Sequence, residues 1–253
     1  KGVLTAVLLQ YMGNHTPVYN FAGEDGVRHT LYVIQEPLKV REITHLFEQV
    51  PALYIADGHH RCAAALRVAK ELGARPGQTG EEPYNYVLSV IFPENMLHIL
   101  PYNRVVKDLN GLSQEKFLEL LREKFQVEKA ERAVEPKTLH TFGLYLAGQW
   151  YSLKALDDTF PLTDPIASLD VSILQSNVLS PILGIENPRT DERIDFVGGI
   201  RGLSALEEAV DGGDYTLAFS LYPTSMYQLM AAADEGLVMP PKSTWFEPKL
   251  RDA

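Results

Sequence analysis

A single cysteine, Cys62, leaves this chain without any internal disulfide, which excludes a small scaffold stapled by cross-links. No apolar run approaches the roughly 20 residues that a membrane-spanning helix needs, so no membrane partner is expected. Positive charge is also short: 23 Lys and Arg stand against 33 Asp and Glu, for a net charge of -10 and a pI near 5.2. A general nucleic-acid-binding surface wants the opposite balance, although a local basic pocket is compatible with this one. The cytoplasm is the expected compartment. Cys62 lies in an Ala-rich stretch and reads as a small buried side chain, since a reactive thiol needs exposure and a lowered pKa.

What the chain does have is enough apolar material, 45% of 253 residues, for one large core or two moderate ones. Its first residue is Lys, and Val3 to Leu9 is a strand-like apolar run, so we expect an N-terminal portion to precede it. Two short strands, Val18 to Ala22 and Val27 to Gln35, continue an antiparallel meander, and Pro37 opens a helix through Gln49. Tyr84 to Phe92 reads as a strand, Leu97 to Val106 as a second extended stretch, and Ser113 caps an amphipathic helix to Phe125. Glu128 to Lys137 has the composition of a charged linker. Thr141 to Leu146 and Gln149 to Leu153 flank Ala147-Gly148 as a hairpin. A helix is expected over Ala167 to Leu179, a strand over Ile194 to Val197, a helix over Leu203 to Val210 and a strand over Tyr215 to Tyr222. Thr224 is expected to cap the last helix, and residues 239 to 249 form an extended tail. Together these give an α+β protein of mixed sheets and packed helices, divided into parts 1–110 and 111–253.

The chain is organised around Leu53-Tyr54-Ile55-Ala56-Asp57-Gly58-His59-His60-Arg61-Cys62. An apolar run stops at Asp57-Gly58, and a segment rich in Ala, Leu, Arg, Lys and Glu follows to Gly73, so the pattern is strand, tight turn, helix. A cap followed by a solvated first turn explains each residue singly. Taken together, His59, His60 and Arg61 put basic side chains where they oppose the helix dipole, which costs stability unless an anion sits among them. Unpaired N–H groups at a helix start suit a phosphate. A metal site built from Asp57, His59 and His60 is disfavoured, because adjacent side chains diverge on a helix. The polar residues Asn103, Arg104 and Lys107, with Lys242 of the tail, are candidates to line the same site.

At Asp57-Gly58-His59-His60-Arg61, at Pro101-Tyr102-Asn103-Arg104-Val105-Val106-Lys107-Asp108-Leu109 and at Met239-Pro240-Pro241-Lys242-Ser243-Thr244-Trp245-Phe246-Glu247-Pro248-Lys249-Leu250, the chain resembles the bacterial and archaeal family called domain of unknown function 1015. The central motif also resembles the phosphate-binding box of the ParB and sulfiredoxin superfamily. Sulfiredoxins have a nucleophilic cysteine where this chain has His59, so their chemistry is not expected. ParB proteins, which bind CTP and DNA, match less well. The free-serine kinases of that superfamily have Asp-Gly-His-Thr-Arg, matched by Asp57, Gly58, His59 and Arg61 with His60 in place of the threonine. That resemblance implies transfer of a phosphoryl group from ATP or ADP, with Mg2+, to a small hydroxyl compound such as a free amino acid. Gly58, His59, His60 and Arg61 would hold the phosphates, Asp57 and His59 would carry the catalysis, and Asp57 would hold the metal. The alternative is a nucleotide-binding regulatory protein of ParB type without catalysis.

Overall fold

The computed structural model describes residues 2–248. Two compact units are present, residues 1–55 and 56–253.

In the first unit, helix α1 (Val3–Asn14) is followed by strands β1 (Tyr19–Ala22) and β2 (Arg28–Leu31) and helix α2 (Pro37–Glu48). The run from Val3 expected as a strand is therefore a helix. An apolar run does not fix the period, and the Leu and Ala of this one, with Gln10 and Met12 beyond it, are strong helix formers. The meander is a single antiparallel hairpin, pairing Tyr19 with Leu31 and Ala22 with Arg28. Tyr11 is the buried residue of α1; its hydroxyl lies 3.1 Å from the Val33 carbonyl and from both oxygens of the Glu36 carboxylate, while His15 stacks on its ring at 3.8 Å. Pro37 occupies the first turn of α2, where its missing N–H costs no hydrogen bond.

In the second unit, helix α3 (His59–Gly73) precedes strands β3 (His98–Leu100), β4 (Tyr102–Val106), helix α4 (Gln114–Arg122), and strands β5 (Phe125–Ala130), β6 (Thr141–Leu146) and β7 (Gln149–Ala155). There follow helix α5 (Asp170–Leu174), continued by a π-helical turn over Gln175–Leu179, then strand β8 (Ile194–Gly198), helix α6 (Ser204–Asp211), strand β9 (Leu217–Leu221), helix α7 (Met226–Asp234) and strand β10 (Trp245–Glu247). Six strands form one antiparallel sheet in the order β5-β7-β6-β9-β4-β8. Period-2 alternation gives it two apolar faces. Val106, Phe142, Leu144, Leu217 and Phe219 enter the larger core with Phe117 and Leu121 of α4 and Ile173 and Leu174 of α5. Val105, Tyr145, Trp150 and Ala218 meet Leu206 and Val210 of α6 on the other side. Each fully covered Leu or Phe contributes about 1.5–3 kcal/mol, so this sheet holds most of the unit's stability.

Four expectations are corrected here. The supposed linker Glu128 to Lys137 begins inside an edge strand, Phe125–Ala130, where Gln126 and Glu128 alternate with Phe125 and Val127 against β7. Residues 53–57 and 86–92 have strand composition but join no sheet among the described residues; Leu88 is 98% exposed. An extended run becomes a strand only where a partner supplies the ladder. The last helix is capped by Ser225, whose Oγ accepts the Gln228 N–H at 3.1 Å while Gln228 Oε1 accepts the Ser225 N–H at 3.0 Å. Thr224, one residue earlier, instead donates to the Ser243 carbonyl at 3.0 Å. Ser225→Ala should accordingly cost about 1 kcal/mol, read as a lower midpoint in urea unfolding.

The tail docks through β10 on β3, pairing Phe246 with Ile99. Trp245 lies against Gly198, where a Cβ would stand 2.6 Å from its ring. Packing of the tail's aromatics is thus its observed duty. Lys249 and Leu250, the end of the tail motif, lie outside the described residues.

Candidate functional site

Helix α3 starts from Gly58, which has φ 81° and ψ 25°. That left-handed conformation is nearly free for glycine and strained for other residues. It turns the chain sharply enough that the Gly58 carbonyl accepts the Cys62 N–H at 3.0 Å, closing the first helical turn and leaving the earlier N–H groups without intrahelical partners. Arg61 folds back over the turn. A Cβ on residue 58 would lie 3.0 Å from its Nη2 and 3.2 Å from its Nε, so the dihedral is what requires glycine, and the exposed guanidinium above it would have only to shift slightly.

Asp57, His59, His60 and Arg61 are exposed, and Gly58 and Cys62 are half-buried. Among the described residues, none of these four polar side chains makes a hydrogen bond or ion pair within the chain. The turn therefore presents a carboxylate, two imidazoles, a forked guanidinium and free backbone N–H groups to the same short arc of helix. All but the carboxylate are donors that phosphate oxygens take, and the geometry is that of an anion-receiving helix start.

The other sequence candidates are placed differently. Asn103 is buried and its Oδ1 accepts the Leu221 N–H at 3.1 Å, which ties β4 to the end of β9. Arg104 is 4% exposed; its Nη1 donates to the Tyr102 carbonyl, its Nη2 donates to the Lys242 carbonyl at 3.0 Å, and its guanidinium lies 4.7 Å from the centre of the Phe196 ring. Burial pulls this guanidinium down to about 9. Lys242 reaches Tyr102, with Nζ 3.5 Å from the hydroxyl and 5.3 Å from the ring centre. Lys107 follows β4, its backbone carbonyl accepting the Thr216 hydroxyl at 2.5 Å and its N–H donating to the Arg193 carbonyl at 2.8 Å. The structure thus joins Arg104 to Lys242. No hydrogen bond or ion pair among the described residues links Asn103, Arg104, Lys107 or Lys242 to Asp57–Arg61.

Two groups that the sequence did not single out carry unusual chemistry. Asp170, 5% exposed, accepts the His140 N–H at 3.0 Å through Oδ1, while Oδ2 is buried without a partner among the described residues; burial pushes its carboxyl up to about 7. Ser172 Oγ is likewise buried and unpartnered. Neither belongs to a motif, and a lone Asp or Ser in an apolar helix carries no sequence signal apart from its polarity.

Against known proteins, the profile for "Protein of unknown function (DUF1015)" matches residues 1–172. The chain belongs to this family. No curated protein matches this DUF1015 chain. Among solved structures it is similar to a free serine kinase in complex with AMP, at 15% identity and a TM-score of 0.40, over 85% of this chain and 81% of that one. A mutant of a free serine kinase in complex with ADP matches at 16% identity and a TM-score of 0.40 over the same shares. A conserved hypothetical protein from Pyrococcus furiosus matches at 16% identity and a TM-score of 0.39, over 99% of this chain and 87% of that one.

Proposed function

We propose that this DUF1015 protein binds a nucleoside phosphate at Asp57-Gly58-His59-His60-Arg61 and transfers a phosphoryl group from it to a small hydroxyl compound. The observation that carries the reading is the left-handed Gly58 opening α3 beneath the Arg61 guanidinium, in a turn whose sequence resembles the Asp-Gly-His-Thr-Arg box. Residues 1–110 would form the nucleotide-binding part.

Phosphoryl transfer asks a protein mainly for positioning and charge neutralisation. Gly58 lets phosphate oxygens approach the backbone, and the Arg61 fork grips two of them at once. His59 and His60 supply further donors. Asp57, exposed and without a partner among the described residues, fits a metal that arrives with its nucleotide, because Mg2+ takes few protein carboxylates and completes its shell with phosphate and water. Mg2+ so held would neutralise charge on the phosphates. As an alternative to holding the metal, Asp57 would accept the proton of an attacking hydroxyl, and His59 would steady the transferring group by hydrogen bonding.

The test is thermal unfolding with Mg2+ and ATP, ADP or CTP, beside Arg61→Ala, followed by a turnover assay. A nucleotide at a hundred times its Kd should stabilise the wild type by about 2.7 kcal/mol, a rise of a few degrees, and leave Arg61→Ala where it was. Asp57→Ala should keep nucleotide binding and lose turnover. Turnover unchanged in both variants overturns the assignment. Binding without hydrolysis or transfer replaces the kinase by a nucleotide-binding regulator.

A further inference from the structure

A cavity of about 190 Å3 opens in the second unit between β4, the α5–π-helical segment and the Pro240–Pro241 strap of the tail, with Arg104, Ser172, Gln175 and Glu186 on its walls. Three features of its lining are unusual together. Arg104 is 96% buried by complement of its 4% exposure, yet its hydrogen bonds go to two backbone carbonyls, and it pairs with no carboxylate among the described residues. Burying a cation without a counter-charge costs several kcal/mol, and the two carbonyls and the Phe196 face supply only dipole and quadrupole. Part of the guanidinium fork keeps its donors unspent. Second, Ser172 Oγ on the same wall is buried with no hydrogen-bond partner among the described residues, an orphan that native structures rarely leave. Third, apart from Gln175 and Glu186 the rest of the lining is apolar, from Val171, Leu179 and the prolines, which strengthens any charge pairing made inside.

We propose that this cavity is a binding site for the carboxylate of a small organic acid, held by the free edge of the Arg104 fork and by the Ser172 hydroxyl, turned about χ1 from its sealed, unpartnered position to the cavity that the residue lines. A planar carboxylate matches the planar fork and accepts a hydroxyl proton as well. The count of charges selects against phosphate. Glu186 stands on the same wall, its Oε2 accepting the Ser180 hydroxyl at 2.7 Å, so a doubly charged anion meets repulsion that a monocarboxylate meets at half strength. The aliphatic tail of the acid would lie on Val171, Leu179 and the prolines. This site shares no lining residue with the phosphate turn, and its assignment does not rest on that turn.

The test is an NMR titration of the 15N-labelled full chain with sodium acetate, sodium propionate and sodium phosphate at constant ionic strength, without nucleotide. Propionate should shift the signals of residues 104 and 171–175 saturably, and bind more tightly than acetate by a few-fold for its extra methylene. Ser172→Ala should weaken propionate roughly tenfold, the worth of a hydrogen bond to a charged group. Glu186→Gln, at an exposed position, should leave the fold intact and tighten phosphate relative to propionate. Arg104→Gln should abolish binding, and Ser172→Ala keeps the question decidable where that variant fails to fold. Phosphate binding as tightly as propionate to the wild type, no saturable shift with any anion, or propionate binding indifferent to Ser172→Ala would each overturn the assignment.

Discussion

Gly143→Ala is expected to destabilise the second unit by about 3 kcal/mol, even though alanine suits a strand better than glycine does. The residue sits in the middle of β6 in ordinary extended conformation, so no dihedral demands a glycine. Relief of unfolded-state entropy alone would make the substitution stabilising by about 0.4–1 kcal/mol. The space above it decides the sign. A Cβ there would overlap Ser220 Oγ, and would stand 2.7 Å from the Val134 carbonyl oxygen and 2.9 Å from Val134 Cβ. Those atoms are not free to yield: the Ser220 hydroxyl donates to the Val134 carbonyl at 2.6 Å, and that bond straps the segment before β6 across the sheet. An added methyl must break the bond or push the strap off. Urea unfolding followed by the fluorescence of Trp150, buried on the same face, measures the loss. The background distinguishes this mechanism from a general strand effect. In Ser220→Ala the nearest atom is gone, so Gly143→Ala should cost less there by about 1 kcal/mol, a coupling that an additive effect would not show.

The parts of the fold legible in the sequence are those where one local rule suffices. The β6–β7 hairpin is given by alternation on either side of Ala147-Gly148, and α3 by an Ala-rich run entered at Asp57-Gly58. The misread elements are those where composition leaves the period open. Val3 to Leu9 is an apolar run that alternation does not resolve, and its Leu and Ala, strong helix formers, tip it to helix α1. Residues 53–57 and 86–92 are strand-like in every local respect, but a ladder is a property of two segments, and no sequence rule says whether a partner is present. The candidate site divides in the same way. The turn at Gly58 is a contiguous motif, so its chemistry could be read in order. Arg104 and Ser172 lie far apart in sequence and meet at one cavity only because β4 and α5 pack against the same tail strap. The Arg104 guanidinium reaches Lys242 across 138 positions, a pairing that no spacing announces.

Asp170→Asn should remove a pH dependence of stability that the wild type shows between about pH 4 and pH 7. In the native protein the carboxyl is raised to about 7 from an ordinary 3.8, first by burial, against which the His140 N–H is a partial offset. Below 3.8 both the folded and the unfolded chain hold the proton, and the contribution is complete. Between 3.8 and about 7 the unfolded chain releases it while the native chain keeps it, so unfolding frees a proton and stability falls as pH rises. Above about 7 the native carboxylate ionises too, and the loss is complete. The gap corresponds to an upper bound of about 4 kcal/mol. Asparagine keeps an oxygen for the His140 N–H and never ionises, so the variant should overtake the wild type at pH 8 and lose that advantage progressively as pH falls to about 4. His140 itself works in the opposite sense: burial against the Phe160 ring holds it below its ordinary 6.5, so the unfolded chain protonates first and its contribution weakens as pH falls. Because both chains carry His140, the difference between their urea-unfolding free energies across pH 4–8 isolates Asp170. A difference that stays flat over that range would mean that the carboxylate is already ionised in the fold, and that its second oxygen has found water or a cation inside the apolar layer of α5.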